Sequence, residues 1–586
     1  MRAALDGVDV GQAALQALHI HDPAALATTS LLVALQISGL LLEVVPLDDS
    51  ACDARRAIWR SGRLAYTPPA DQIHAYFGSY VALYFAWMGS FTNWLWAPAL
   101  FGLACSVHMH VSGLTVDDHP YLPFHSLFVV LWSVVFVRCW DRRSAEKAWQ
   151  WSVYGLSRVG QVRAGFRGTL RPSPATGLME RHAALYERVV ANFFSAVVTA
   201  AMLAAAFFAM ICSMNLQGYM EEHVTPLEKA FFIAPLAKLA RPGAIFDPDQ
   251  QLFFGALSFV PVLLHTLVIM VLNGWYRRVA EWLTERENHK MQRDHDNSLI
   301  AKRFIFEAFD CYISLFYVGF VQQDIRKLRS ELVSLYTIDS ARRVITETVV
   351  PLVAQRLAKR KSVRRCQQLK KTDEGELSEA LDALAQPKYE QFDDFLEMVI
   401  EFGYITLFAS AFPLASLLSI ACNLIEVKSD LFKLAFVTQR PPAQRAATIG
   451  VWRHLLHVIV AMSIPTNIML FAMSEQFAAW APWLYREATP MDVLQGRLDS
   501  VIDEAAGSPD LVVKRGAARY VVLAACGLEH LVALVAVVLA VSIPSEPEHV
   551  AEEVYRTAWY KEQRAKQLRR RLSGNADLVA SRALPQ

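Results

Sequence analysis

From about residue 80 to residue 543 the chain alternates long apolar runs with charged connections. Runs at about 80–110, 123–140, 192–214, 252–275, 299–321, 449–473 and 518–543 each have the length of a helix crossing a bilayer. Two further apolar runs meet at Phe412-Pro413-Leu414 inside the stretch Asp394 to Arg445, and Pro413 predicts a fold-back there into an antiparallel helical hairpin. A tenth run, 332–356, is the least apolar, and by pattern alone a soluble amphipathic helix fits it as well. The connections 141–190 and 357–390 are basic, 474–516 is polar, and the tail from 546 to 586 is basic and predicted to be helical at first.

Composition agrees with this pattern. Of 586 residues 54% are hydrophobic, and mean hydropathy is +0.25, the profile of a polytopic membrane protein. A net charge of +1 provides no field for nucleic acid. The eight cysteines form no CxxC pair, and the chain has no phosphate-cradling glycine loop, HExxH or nucleophile elbow, so no enzyme signature emerges. Cys105, His108, His110 and His119 flank a span end at loose spacing and read as a solvated interface. Leu31 to Val45 is short for a span, and Asp6, Asp9 and Asp22 argue against a signal peptide, so residues 1–70 are read as a small cytosolic segment. Basic residues cluster at 138–188, 277–303, 356–371, 428–445 and 556–571, whereas 111–122 has none. With ten spans this alternation places both termini in the cytosol.

The hairpin carries the chemistry. Asp394 and Glu397 are spaced i, i+3, and Glu426 and Asp430 i, i+4, so each pair shares a helical face. Counted from Pro413, Glu397, Glu426 and Asp430 come level at roughly 20–25 Å from the turn. Carboxylates gathered at one depth repel one another and are costly to bury. A hard divalent cation, Ca2+ above all, would resolve the repulsion; ion pairs with Lys428 or Arg343, or a proton relay, would also do so. Glu401, i+4 from Glu397, shares the face and is either a sixth acid near the ions or an ion-pair partner.

The stretches EMVIEFGYITLF, AFPLASLL, Asn423-Leu-Ile-Glu426-Val-x-x-Asp430 and RPPAQRAATIGVW closely resemble the seventh to ninth membrane helices of the anoctamin family. The resemblance starts near Gln72 and includes ENHKMQRDHDNSLIAKRFIFEAFDCYISLFYVGF and the exit Ile543-Pro-Ser-Glu-Pro547. It implies an all-α integral membrane protein with ten transmembrane helices over 71–545, a reduced or divergent cytosolic segment 1–70, and a cytosolic tail 546–586. It makes 332–356 the sixth, gating helix. It also implies Ca2+ held by Glu347, Asp394, Glu397, Glu426 and Asp430, with Arg343, Glu401 and Asn423 as neighbours of the site. Arg343 replaces a usual Asn. Arg138 stands where a Glu of a peripheral Ca2+ site is usual, so that site is expected to be absent.

By resemblance the function is Ca2+-activated movement of phospholipid along a polar groove lined by spans four to six. Chloride conduction is the alternative and a transport-inactive tether a third reading. Groove polar groups include His265, Asn273, Asp310, Tyr312, Ser314, Tyr317, Thr337, Ser340 and Arg342. The TExxxP segment and the exit are most like the intracellular, scramblase-like branch, which favours the endoplasmic reticulum or another intracellular membrane over the plasma membrane, and the family implies a homodimer.

Overall fold

The structure is a computed structural model that describes residues 52–582, apart from 156–162, 173–178, 221–229, 247–259, 346–385, 490–510 and scattered single positions. It is mostly helical. The expected cytosolic segment lies outside the described residues up to residue 51; after it come α1 (Cys52–Leu64) and α2 (Ala70–Phe77). The described helices of the expected membrane region are α3 (Ser79–Trp94) with α4 (Trp96–Ser112), α5 (Leu122–Gln150), α6 (Leu185–Leu216), α7 (Val260–Arg286), α8 (Gln292–Phe316), α9 (Ile325–Arg343), α10 (Phe392–Leu407), α11 (Ala415–Phe432), α12 (Val451–Met473) and α13 (Ala518–Ser542); beyond Arg343 nearly all of the expected sixth run, 332–356, lies outside the described residues. Among the described residues, five are long and apolar enough on their own to cross a membrane: α5, α6, α8 with the π turn that extends it, α12 and α13. The tail is one helix, α14 (Glu548–Arg582). Two hairpins lie in connections, β1 (Thr169–Pro172) with β2 (Met179–His182) and β3 (Tyr485–Glu487) with β4 (Leu511–Val513), both antiparallel.

The structure refines several boundaries. The first run is interrupted at Leu95, for a reason visible in the sequence. Pro98 has no N–H, which leaves the Trp94 carbonyl without its usual i+4 donor; the Trp132 indole of α5 donates to that carbonyl at 3.0 Å. Other helices outrun their apolar runs, because hydropathy marks where lipid ends and not where the backbone ladder ends. Thus α5 continues to Gln150 although its apolar run ends near residue 140.

The centre of the molecule is built from α3, α5, α10 and α12. Phe91, Phe136 and Phe402, all fully buried, meet with ring centroids 5.6–6.1 Å apart. The hairpin helix α11 packs against α3, α4 and α1, while α6, α7 and α8 form a lateral group. Two glycines allow the closest approaches. A Cβ on Gly102 would lie 2.0 Å from the Pro413 carbonyl oxygen at the hairpin turn, and one on Gly403 would lie 1.9 Å from the Tyr312 hydroxyl. That hydroxyl donates to the Ile400 carbonyl at 2.8 Å, joining α8 to α10.

Candidate metal centre in the membrane hairpin

The reversal at Phe408–Leu414 makes α10 and α11 neighbours, and the acids meet across them. Asp394 opens α10 and is buried, while adjacent Asp393 turns outward to Arg303 at 2.7 Å and Arg277 at 3.9 Å. Those arginines come from α8 and α7, so the start of α10 is tied to the lateral helices by one acid while the next acid faces the hairpin. On α11, Asn423, Glu426 and Asp430 are all buried, as their shared i, i+3, i+7 face requires.

Two groups that the sequence did not single out hold this face. The Tyr84 hydroxyl of α3 donates to Asp430 Oδ2 at 2.6 Å. The Lys433 ammonium lies 3.0 Å from Asp430 Oδ1 and 3.3 Å from Asp394 Oδ1, joining the two helices. Lys433 begins a π turn, Lys433–Val437, that follows α11. Its i+3 spacing from Asp430 was the only sequence signal for this contact. Trp59 of α1 packs edge-on against Phe432, just before the turn, and Phe436, within it, at 5.6 and 6.2 Å.

Glu397 and Glu401 have partners on α9. Arg342 donates to Glu397 Oε1 at 3.4 Å, and Tyr336 donates to Glu401 Oε1 at 2.8 Å while bonding Ser419 of α11. Lys433 and Arg342 both pair with these acids, and neither was named in the ion-pair reading with Lys428 or Arg343. The Arg343 side chain and Glu347 lie outside what is described.

The donor set fits a hard divalent ion in kind. Asp394, Glu426 and Asp430 are buried oxygen donors. The Asn423 amide is fully buried, and neither its oxygen nor its nitrogen makes a hydrogen bond among the described residues. As placed, no three acidic, histidine or cysteine side chains among the described residues converge into a metal cluster. Ammonium and carboxylates together are the arrangement seen.

Of the groove residues, Tyr312 and Tyr317 are buried in the packing of α8 and of the π turn after it, and Ser314 is buried too. On α9, Thr337 and Arg342 are exposed. Arg138 donates to the Ile543 carbonyl, at the end of α13, at 3.0 Å. Asp141, one turn further along α5, takes two bonds from Arg453 of α12 at 2.6 and 2.9 Å. At the other end of α4, His108 Nδ1 and His119 Nε2 are 2.9 Å apart.

Comparison with known proteins gives a consistent result. The family model "Anoctamin: Calcium-activated chloride channel" matches residues 73–557. Anoctamin-10 of Mus musculus is 27% identical over 531 residues, covering 90% of this chain and 72% of the relative. Anoctamin-10 of Homo sapiens is 28% identical over 531 residues, covering 90% and 71%. Anoctamin-7 of Mus musculus is 25% identical over 509 residues, covering 76% and 57%. With the family match extending over most of the sequence and five described helices long and apolar enough to cross a membrane, this chain is a membrane protein belonging to the anoctamin family of Ca2+-activated channels and scramblases.

Proposed function

We propose that this chain is a Ca2+-activated phospholipid scramblase in which headgroups move along a polar path beside spans four to six, corresponding to α7, α8 and α9. The observation that carries the reading is the placement of α9. Tyr336 seats it against the middle of α10 and the first turns of α11, while Thr337 and Arg342 stay exposed. Polar and charged groups at that depth are costly against hydrocarbon and well served by headgroups and water. The same contacts link α9 to the helices that carry the acids.

In this reading Asp394, Glu397, Glu426 and Asp430 hold Ca2+, together with Glu347, and Asn423 is an adjacent oxygen. Bound Ca2+ supplies charge neutralisation among buried carboxylates. Ten spans with both termini cytosolic, the boundaries 1–70, 71–545 and 546–586, and an intracellular membrane belong to the same proposal. So does a homodimer: α13 is largely exposed in the single chain, a surface available to a second copy or to lipid. Chloride conduction is the second reading, favoured by the matching family's description as a calcium-activated chloride channel. Purified protein in liposomes, assayed for labelled-lipid flip and chloride flux with and without Ca2+, separates the two. Ca2+-dependent flip supports scrambling, and chloride flux without flip overturns it.

A further inference from the structure

The acid cluster contains a cation of its own. Lys433 lies between Asp394 and Asp430, within 3.3 Å of both, and is mostly buried. Its position is fixed from several sides. Lys433 directly follows α11 and is i+3 from Asp430, which puts both on one helical face, while its contact with Asp394 directs it toward α10. Thr438 closes that turn, its backbone N–H donating to the Lys433 carbonyl at 3.0 Å. Trp59 packs on Phe432 and Phe436, flanking the lysine. A lysine stem can extend and withdraw while its backbone stays in place, so the charge it carries is tethered to the site without being fixed in it.

We propose that the Lys433 ammonium is a tethered counter-ion that takes the cation position between Asp394 and Asp430 in the absence of a divalent ion, and that Ca2+ binding requires it to withdraw. The inference rests on the reading of these acids as Ca2+ ligands. Its physical basis is that two negative helix faces in a low-dielectric setting repel unless a positive charge stands between them. A single ammonium and a divalent ion then compete for the same oxygens. Lys433 holds α10 to α11 without Ca2+, and it raises the Ca2+ concentration needed to occupy the site.

The test uses the full-length protein in detergent, with Ca2+ itself as the probe, and compares the parent with Lys433→Met, Lys433→Gln and Lys433→Arg. Thermal melts in chelator and direct Ca2+ titration by calorimetry are the readouts. The neutral variants are expected to melt at lower temperature without Ca2+ and to bind Ca2+ roughly tenfold more tightly, the effect of removing one unit charge a few Å from a divalent site even under water-like screening. Lys433→Arg keeps the charge and is expected to match the parent in chelator. The double variant Asp394→Asn/Lys433→Met removes one acid with the cation and is expected to recover the chelator melt of the parent. Neutral variants with unchanged Ca2+ affinity beside a responsive parent overturn the competition alone. A parent with no Ca2+ heat and no Ca2+-induced melt shift overturns the ligand reading, and the competition with it.

Discussion

Tyr336 on α9 donates a 2.8 Å hydrogen bond to Glu401 on α10, and the same hydroxyl meets Ser419 on α11. A phenol has one proton to give. With it given to Glu401, Ser419 must be the donor to Tyr336, so three helices are joined through one oxygen. This gives Glu401 a partner on α9 that the sequence did not single out. Tyr336→Phe leaves a buried carboxylate without this donor and is expected to destabilise the protein by about 1–3 kcal/mol. Glu401→Gln keeps an acceptor and should cost less. In Ca2+ titrations Glu401→Gln is expected to stay within about twofold of the parent, since the acid serves the helix contact. A larger shift would make Glu401 part of the ion site.

Asp394 and Glu426 are buried on facing helices, and on the proposed reading both contribute ligand oxygens. Glu426→Gln and Asp394→Asn are each expected to move Ca2+ activation of lipid flip to roughly tenfold higher concentration; in chelator Glu426→Gln should leave the melt equal or raised, because loss of one charge relieves repulsion, whereas Asp394→Asn also takes an acid from Lys433 and should lower it. A flip assay across Ca2+ concentrations, read beside a melt in chelator, checks both halves. Unaltered Ca2+ dependence in both variants would remove these acids from the site.

The acids were legible because carboxylates in apolar runs are rare and their i, i+3 and i, i+4 spacing fixes a face. Pro413 gave the reversal for the same local reason. What the sequence hid is long-range or geometric. Tyr84 reaches Asp430 across 346 residues, and Tyr336 reaches Glu401 across 65. Lys433 is i+3 from Asp430 and so partly legible, but its contact with Asp394 spans 39 residues and two helices. The break at Leu95 was implicit in Pro98, but the indole that satisfies the freed carbonyl comes from another helix. The contact of Tyr336 on α9 with the hairpin was equally hidden, because the polar pattern of that run fits a surface helix as well as a packed one.

Asp141 on α5 is nearly fully buried and takes a two-pronged contact from Arg453 on α12, with Arg138 3.8 Å away. Arg138 in turn bonds the Ile543 carbonyl, so the group ties α5, α12 and the end of α13. Asp141→Asn keeps the shape but removes the charge facing two guanidiniums. It is expected to lower stability by about 1–3 kcal/mol, the upper range for buried pairs being reduced by the partial exposure of Arg453. Ca2+ affinity should not change. A thermal melt with a parallel Ca2+ titration checks this, and a Ca2+ shift would couple this end of the bundle to the acid cluster.

Gly403 faces the Tyr312 hydroxyl so closely that a Cβ cannot enter without moving the ring. Gly403→Ala is therefore expected to destabilise by about 1–3 kcal/mol through overpacking, despite the higher helix propensity of alanine. Tyr312→Phe removes the obstructing oxygen together with its bond to the Ile400 carbonyl. The double variant is expected to be more stable than the sum of the single effects predicts. A melt series over the four combinations measures that coupling, and strict additivity would mean that the two residues do not meet.

Glu287 follows α7, outside the membrane-spanning stretch, and is the hub of the turn into α8. Burial opposes its charge. The hydrogen bonds from His289 at 2.8 Å, Lys302 at 2.8 Å and Ser298 at 2.7 Å outweigh burial and bring the carboxyl down to about 2 from an ordinary 4.5. A carboxyl lowered in the folded state contributes stability that is complete above its unfolded value and disappears as pH falls through the folded one. The contribution is on the order of 3 kcal/mol at neutral pH and is lost between about pH 4.5 and 2. Glu287→Gln keeps the shape of the hub but gives Lys302 no opposite charge there. Its melt at pH 7 should fall below that of the parent, and the gap should close on acidification across that window. Neutral-pH lipid flip should persist where the variant is folded, because the hub orients the α7–α8 turn and touches none of the acids of the hairpin. A gap that stays constant from pH 7 to the lower end of the window would mean that the carboxylate is not what holds the turn.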